Sequence, residues 1–115
     1  MIDDLLEFLR FPSVSADSKY KPDVDACADW LTNRLRKAGL EASKIATAGQ
    51  PVILAKTPHS PGKKTVLIYG HYDVQPADPL DLWETPPFEP TVRDGRIFAR
   101  GATDNKGQIL AHILG

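Results

Sequence analysis

His71 and Asp73 stand one residue apart in Tyr69-Gly-His-Tyr-Asp-Val74, where a short apolar run ends. In extended chain, residues two apart project to the same side, so this imidazole and carboxylate can meet. Metal binding suits such a pair, because a ligating imidazole needs its other nitrogen held, and its tautomer fixed, by a nearby acceptor. The pair also reads as a surface histidine beside a turn-forming aspartate, and the residues alone leave both readings open. Asp104 is the second candidate, in Arg100-Gly-Ala-Thr-Asp-Asn-Lys-Gly107. The glycines around it permit unusual backbone angles or close approach to another group. An aspartate there can equally be a helix N-cap. Lys106 is expected to face water. His112, inside a helical pattern, is expected at the surface or satisfied in the core rather than as a ligand, and His59 in solvent. Trp83, Phe88 and Phe98 read as packing residues, and Asp78, Asp81 and Glu84 as solvated loop charges.

The elements that must position these residues follow from periodicity. Thr65-Val-Leu-Ile-Tyr69 and Pro51-Val-Ile-Leu-Ala-Lys56 are apolar runs bounded by turn residues, as interior strands are, and Pro58-His-Ser-Pro-Gly-Lys-Lys64 between them predicts that they pair as a hairpin. His71 would then leave the carboxyl end of a strand, where open α/β sheets place their reactive crevice. Five of the ten prolines (76, 79, 86, 87 and 90) fall between Val74 and Thr91. Proline lacks the backbone donor that helices and central strands require, so this stretch predicts a stiff, ordered loop joining His71 and Asp73 to Asp104. Asp94-Gly95, between Thr91-Val-Arg and Arg96-Ile-Phe, predicts a tight hairpin. Ile2, Leu5, Leu6 and Leu9 have helical spacing, and Pro12 ends that helix. Ser13 to Lys21 is polar and reads as a loop. A second helix starts near Pro22, with Val24, Cys27, Leu31, Leu35 and Ala38 on its apolar face and Gly39 as C-cap, while Asp25, Asp29, Thr32 and Arg36 lie opposite. Cys27 is thereby expected to be a small buried residue. From Lys106 the helical period returns; Leu110, Ile113 and Leu114 make an apolar stripe with no later element to cover it. Helices and strands alternate, which predicts an α/β layer architecture.

Composition narrows the function classes. The chain has 115 residues, with 14 Lys+Arg against 15 Asp+Glu and 42 % hydrophobic residues, proportions usual for one soluble domain. A formal net charge of -1 gives no basic surface to draw in phosphates, so nucleic acid is not an expected partner. No apolar run approaches a membrane span, and Met1-Ile-Asp-Asp4 is not the basic start of a signal peptide. A single cysteine excludes an internal disulfide framework. Together these predict a cytoplasmic protein. There is no Gly-x-Ser-x-Gly elbow, phosphate-cradling glycine loop or His-Glu-x-x-His pair.

Three stretches, in this order and spacing, carry a resemblance: Gly70-His-Tyr-Asp-Val-Gln-Pro76, Trp83-Glu-Thr-Pro-Pro-Phe-Glu-Pro90 and Asp94-Gly-Arg-Ile-Phe-Ala-Arg-Gly-Ala-Thr-Asp-Asn-Lys-Gly107. They resemble the dinuclear-zinc family of amidohydrolases and exopeptidases that contains aminoacylases, glutamate carboxypeptidases, desuccinylases and carnosinase-type dipeptidases, and His-Tyr-Asp-Val-Gln-Pro resembles the dipeptidase branch. Ala99 departs from the glycine usual in the family. The resemblance implies an α/β/α layered zinc-exopeptidase-like catalytic domain of which residues 1–115 are the incomplete N-terminal part, the remainder and a lid or dimerisation domain lying elsewhere. It implies that His71 ligates one zinc, that Asp104 bridges two, and that Asp73 is the active-site carboxylate orienting His71. Manganese or cobalt would suit the same donors. The implied activity of the full-length protein, expected to be a homodimer, is hydrolysis of a dipeptide amide bond, with the 115-residue piece inactive. An N-acyl-amino-acid deacylase is the alternative within the family; a non-catalytic metal-binding or interaction module is the alternative of another class.

Overall fold

The computed structural model describes residues 1–115. Three helices, α1 (Ile2–Leu9), α2 (Lys21–Lys37) and α3 (Lys106–Leu114), surround a small core. Four strands form two separate antiparallel pairs, β1 (Glu41–Ile45) with β2 (Val52–Lys56) and β3 (Thr91–Arg93) with β4 (Arg96–Phe98). The helices start and stop near the positions that their signals predict. In α2, Pro22 occupies the first turn, Arg34, Arg36 and Lys37 the last, and Gly39 follows with φ +88°. Asp94 and Gly95 both take positive φ (51° and 70°), as a two-residue hairpin that matches strand twist requires.

The core centres on Phe8, Cys27, Leu31 and Leu110, one or more from each helix, and Phe8 stacks on Trp30 with ring centroids 4.8 Å apart. Cys27 is fully buried, as its helix face predicts, and burial pushes its thiol pKa up. The stripe on α3 is not left open: Leu110 is buried, and Ile113 and Leu114 pack against the same cluster. Thr32 corrects the polar side assigned to α2. It is buried, with its hydroxyl donating to the Ala28 carbonyl (2.7 Å), so the helix satisfies it internally.

The predicted hairpin between 51–56 and 65–69 does not form. β2 pairs instead with β1, from Glu41 opposite Lys56 to Ile45 opposite Val52. The turn between them closes on its own side chains, Thr47 Oγ1 donating to the Gln50 carbonyl (2.8 Å) and accepting from Gly49 N (3.0 Å). Only Ala42 of β1 is buried, so its sequence carries no apolar alternation by which to find it. Residues 65–69 belong to no strand, and Val66, Leu67 and Tyr69 are 79 %, 88 % and 85 % exposed. The proline-rich stretch contains neither α-helix nor strand, only a 3-10 turn at Leu80–Leu82, consistent with its missing donors. Trp83 anchors it through Nε1 to the Ala77 carbonyl (2.8 Å).

Candidate metal centre

Gly70 to Val74 runs in extended fashion between α3 and the segment after α1. A Cβ on Gly70 would lie 2.6 Å from Ile109 Cγ2 and 2.8 Å from Asn105 Oδ1, so only glycine lets the backbone reach α3 this closely. His71 N then donates to Asn105 Oδ1 (3.2 Å). The period of two separates the side chains. Val74 points inward and is buried, and Tyr72 packs against the core with its hydroxyl on the Pro51 carbonyl (2.5 Å). Burial pushes the Tyr72 pKa up to about 12. His71 and Asp73, each 39 % exposed, face the other way.

The second arm is the turn before α3. Gly101 has φ +85°, and a Cβ there would lie 2.7 Å from Val74 Cγ1. At Gly107 a Cβ would stand 2.2 Å from the Ala102 carbonyl oxygen. These two glycines allow the turn to fold tightly against Val74, and Asp104 is carried over the imidazole. Asn105, not Asp104, is the N-cap residue of α3, and no side chain caps that helix. The capping alternative for Asp104 therefore does not describe this chain.

His71 thus lies between two carboxylates. Its Nδ1 is 3.1 Å from Asp73 Oδ1 and 3.1 Å from the Asp73 carbonyl oxygen; its Nε2 is 3.1 Å from Asp104 Oδ1. Two acceptors at Nδ1 hold the proton there, which leaves the Nε2 lone pair aimed at a carboxylate. Two lone pairs at that distance require a positive charge between them, either a proton or a metal ion. Metal–ligand bonds of about 2.0–2.1 Å at a tetrahedral angle place two donors roughly 3.3–3.4 Å apart, so His71 and Asp104 fit a divalent ion with little adjustment. They are only two donors. No cluster of three or more His, Cys, Asp or Glu side chains able to hold a metal occurs among these residues.

The remaining predicted residues fall elsewhere. His59 and His112 are exposed, and Glu84 pairs with Arg93 (3.0 Å). Lys106 corrects the expectation that it faces water. It is fully buried, its Nζ donating to the carbonyl of Phe8 (3.0 Å) in the last turn of α1 and to that of Phe11 (2.8 Å) just beyond it, where a cation complements the carboxyl end of the helix. Burial lowers its pKa to about 8, against the opposing pull of Cys27 and Asp73. Sequence reasoning missed three contributors to the site. Asn105 holds the His71 amide, Ser13 donates to the Tyr72 carbonyl (2.7 Å), and Ser15 donates to Asp73 Oδ2. Their partners lie 34, 59 and 58 positions away, so no local spacing signals them.

On this mixed helix–strand scaffold, the chain matches the model of peptidase family M20/M25/M40 over residues 67–114. The family implies a divalent metal. Among its relatives, the chain is 43 % identical over 116 residues to the Cys-Gly metallodipeptidase dug1 of Schizosaccharomyces pombe, an alignment covering 91 % of this chain and 24 % of that protein. It is 41 % identical over 97 residues to a succinyl-diaminopimelate desuccinylase of Aromatoleum aromaticum, covering 84 % and 24 %. Human carnosine dipeptidase 1 superimposes with a TM-score of 0.91 and 35 % identity over 98 % of this chain and 26 % of its own. The fold is therefore that of the corresponding part of these peptidases, and the chain spans about a quarter of its relatives' length.

Proposed function

We propose that residues 1–115 form the first part of the catalytic domain of a cytoplasmic metal-dependent dipeptidase. In this reading His71 and Asp104 would hold zinc, Asp104 being the carboxylate that two ions would share, and manganese or cobalt would suit the same donors. The observation that carries it is the imidazole held at 3.1 Å from a carboxylate on each side. When bound, the metal polarises a peptide carbonyl and makes water acidic enough to attack near neutral pH. Asp73 keeps the Nδ1 proton and so presents the Nε2 lone pair outward; the Gly101–Gly107 turn keeps the Asp104 carboxylate over it. Two donors fall short of the three protein ligands usual in catalytic zinc sites. The 115 residues are accordingly inactive by themselves, and the complete, homodimeric protein would bring the remaining ligands and the general base.

Small peptides are the proposed substrates, since the relatives include a Cys-Gly dipeptidase and a carnosine dipeptidase. The identity to a desuccinylase supports a second reading, hydrolysis of an N-acyl amino acid at the same half-site. In the complete protein, His71→Ala and Asp104→Ala should each abolish zinc-dependent hydrolysis of Cys-Gly and carnosine. Cleavage of succinyl-amino acids alone would select the deacylase. Near-normal metal content and turnover in either variant would remove the site assignment, whereas a complete wild-type protein that hydrolyses neither class of substrate would leave a non-catalytic module.

A further inference from the structure

Resting on the reading of His71 as a metal ligand, we infer that Ser15 is a positioning residue that acts on His71 through Asp73. The two oxygens of Asp73 have different duties. Oδ1 lies 3.1 Å from His71 Nδ1, whereas Oδ2 accepts the Ser15 hydroxyl. A carboxylate held at one oxygen only can turn about its last side-chain bond, which has a broad torsional preference. Held at both, it fixes the plane in which Nδ1–H must lie, and with it the direction of Nε2 towards Asp104.

Ser15 is itself fixed by the segment it ends. Val14 and Val74 form an isolated parallel bridge, Val74 N donates to the Ser13 carbonyl (2.9 Å), and the Ser13 hydroxyl donates to the Tyr72 carbonyl (2.7 Å). The same segment receives Lys106 at the Phe11 carbonyl (2.8 Å), two residues after Asp104. Residues 11–15 therefore join the segment that carries His71 and Asp73 to the turn that carries Asp104. A polar stretch that reads as a mere loop sets the spacing of both arms.

The test is nitrogen-resolved magnetic resonance of the His71 ring in the complete, metal-free protein, above the pH at which imidazole is protonated. The wild type should show the Nδ1–H tautomer with a slowly exchanging proton. Ser15→Ala should move the population towards the Nε2–H form preferred by free imidazole, with Nδ1 proton exchange roughly fivefold faster, the loss of one ordinary hydrogen bond. Ser15→Thr, which keeps the hydroxyl, should restore the wild-type signature. A Ser15→Ala ring indistinguishable from wild type overturns the inference, as does a Ser15→Thr that behaves like Ser15→Ala. Adding Zn2+ separates the two readings. If the wild-type His71 Nε2 resonance ignores zinc while the Ser15 effect stands, the ligand assignment fails and the positioning contact survives.

Discussion

His71, Asp73 and Asp104 could be picked out in the sequence because each is a chemically distinctive type at a spacing that chemistry recognises. Their meeting at 3.1 Å could not, since 33 residues separate His71 from Asp104. The structure also divides the two carboxylates by exposure. Asp73 is 39 % exposed and held by Ser15, while Asp104 is 79 % exposed and its carboxylate is hydrogen-bonded to the imidazole. That division suits an orienting role for Asp73, and it leads to a distinct prediction. In the complete protein, Asp73→Asn should retain most of the bound zinc, because both donors remain, yet lose turnover by roughly 10- to 100-fold through the weakened hold on the imidazole. Metal analysis and steady-state rates on one preparation check this, and unchanged turnover would count against the orienting role.

At the scale of elements, helices proved more legible than strands. The α2 face of Val24, Cys27 and Leu31 is a local repeat and is buried as such. The partner of β2 is not a local property, and β1, with only Ala42 inside, takes the place expected for residues 65–69. Lys106 is the sharpest case. Near a carboxylate, a lysine in sequence reads as solvated, but α3 packs beside α1 and brings it under the α1 carboxyl end. Its folded pKa, about 8, lies below the ordinary 10.5, so between these values the unfolded chain binds more protons than the folded one. Stability contributed by Lys106 therefore rises with pH across that window, with a slope of at most ~1.4 kcal/mol per pH unit. Below pH 8 the burial cost is felt in full. Cys27 and Tyr72, both raised by burial, act in the opposite sense at high pH, so the measured quantity is the difference between wild type and Lys106→Met. Denaturant titrations from pH 7.5 to 10 should show that difference moving in favour of wild type as pH increases. A flat difference would mean that Lys106 titrates as an ordinary lysine.

The whole molecule measures 54 × 38 × 19 Å, flat for its length, and its largest anomaly is Val66-Leu-Ile-Tyr69, an apolar run with little cover. Exposed apolar stretches of this kind mark contact surfaces or aggregation hazards. The amides of residues 66–69 should exchange with solvent at nearly free-peptide rates while those of α2 are protected. Leu67→Lys should change unfolding free energy by no more than ~0.5 kcal/mol, since an exposed side chain loses nothing on becoming charged. Hydrogen exchange and chemical denaturation check both. Protection of this run at high protein concentration alone would reveal self-pairing.

By itself, the sequence singled out the candidate site residues, the places of the helices and of the Asp94–Gly95 hairpin, and, through its three specific stretches, the likeness to a known family. Each of these is written in residue type and short-range period, which the unfolded chain already possesses. Only the tertiary structure decided that β2 pairs with β1, that Lys106 is buried beneath α1, and that Ser15 and Asn105 support the site. Those outcomes depend on which distant groups become neighbours when the core of Phe8, Cys27, Leu31 and Leu110 closes. Burial and hydrogen bonding between positions 34 to 98 residues apart leave no trace in local spacing.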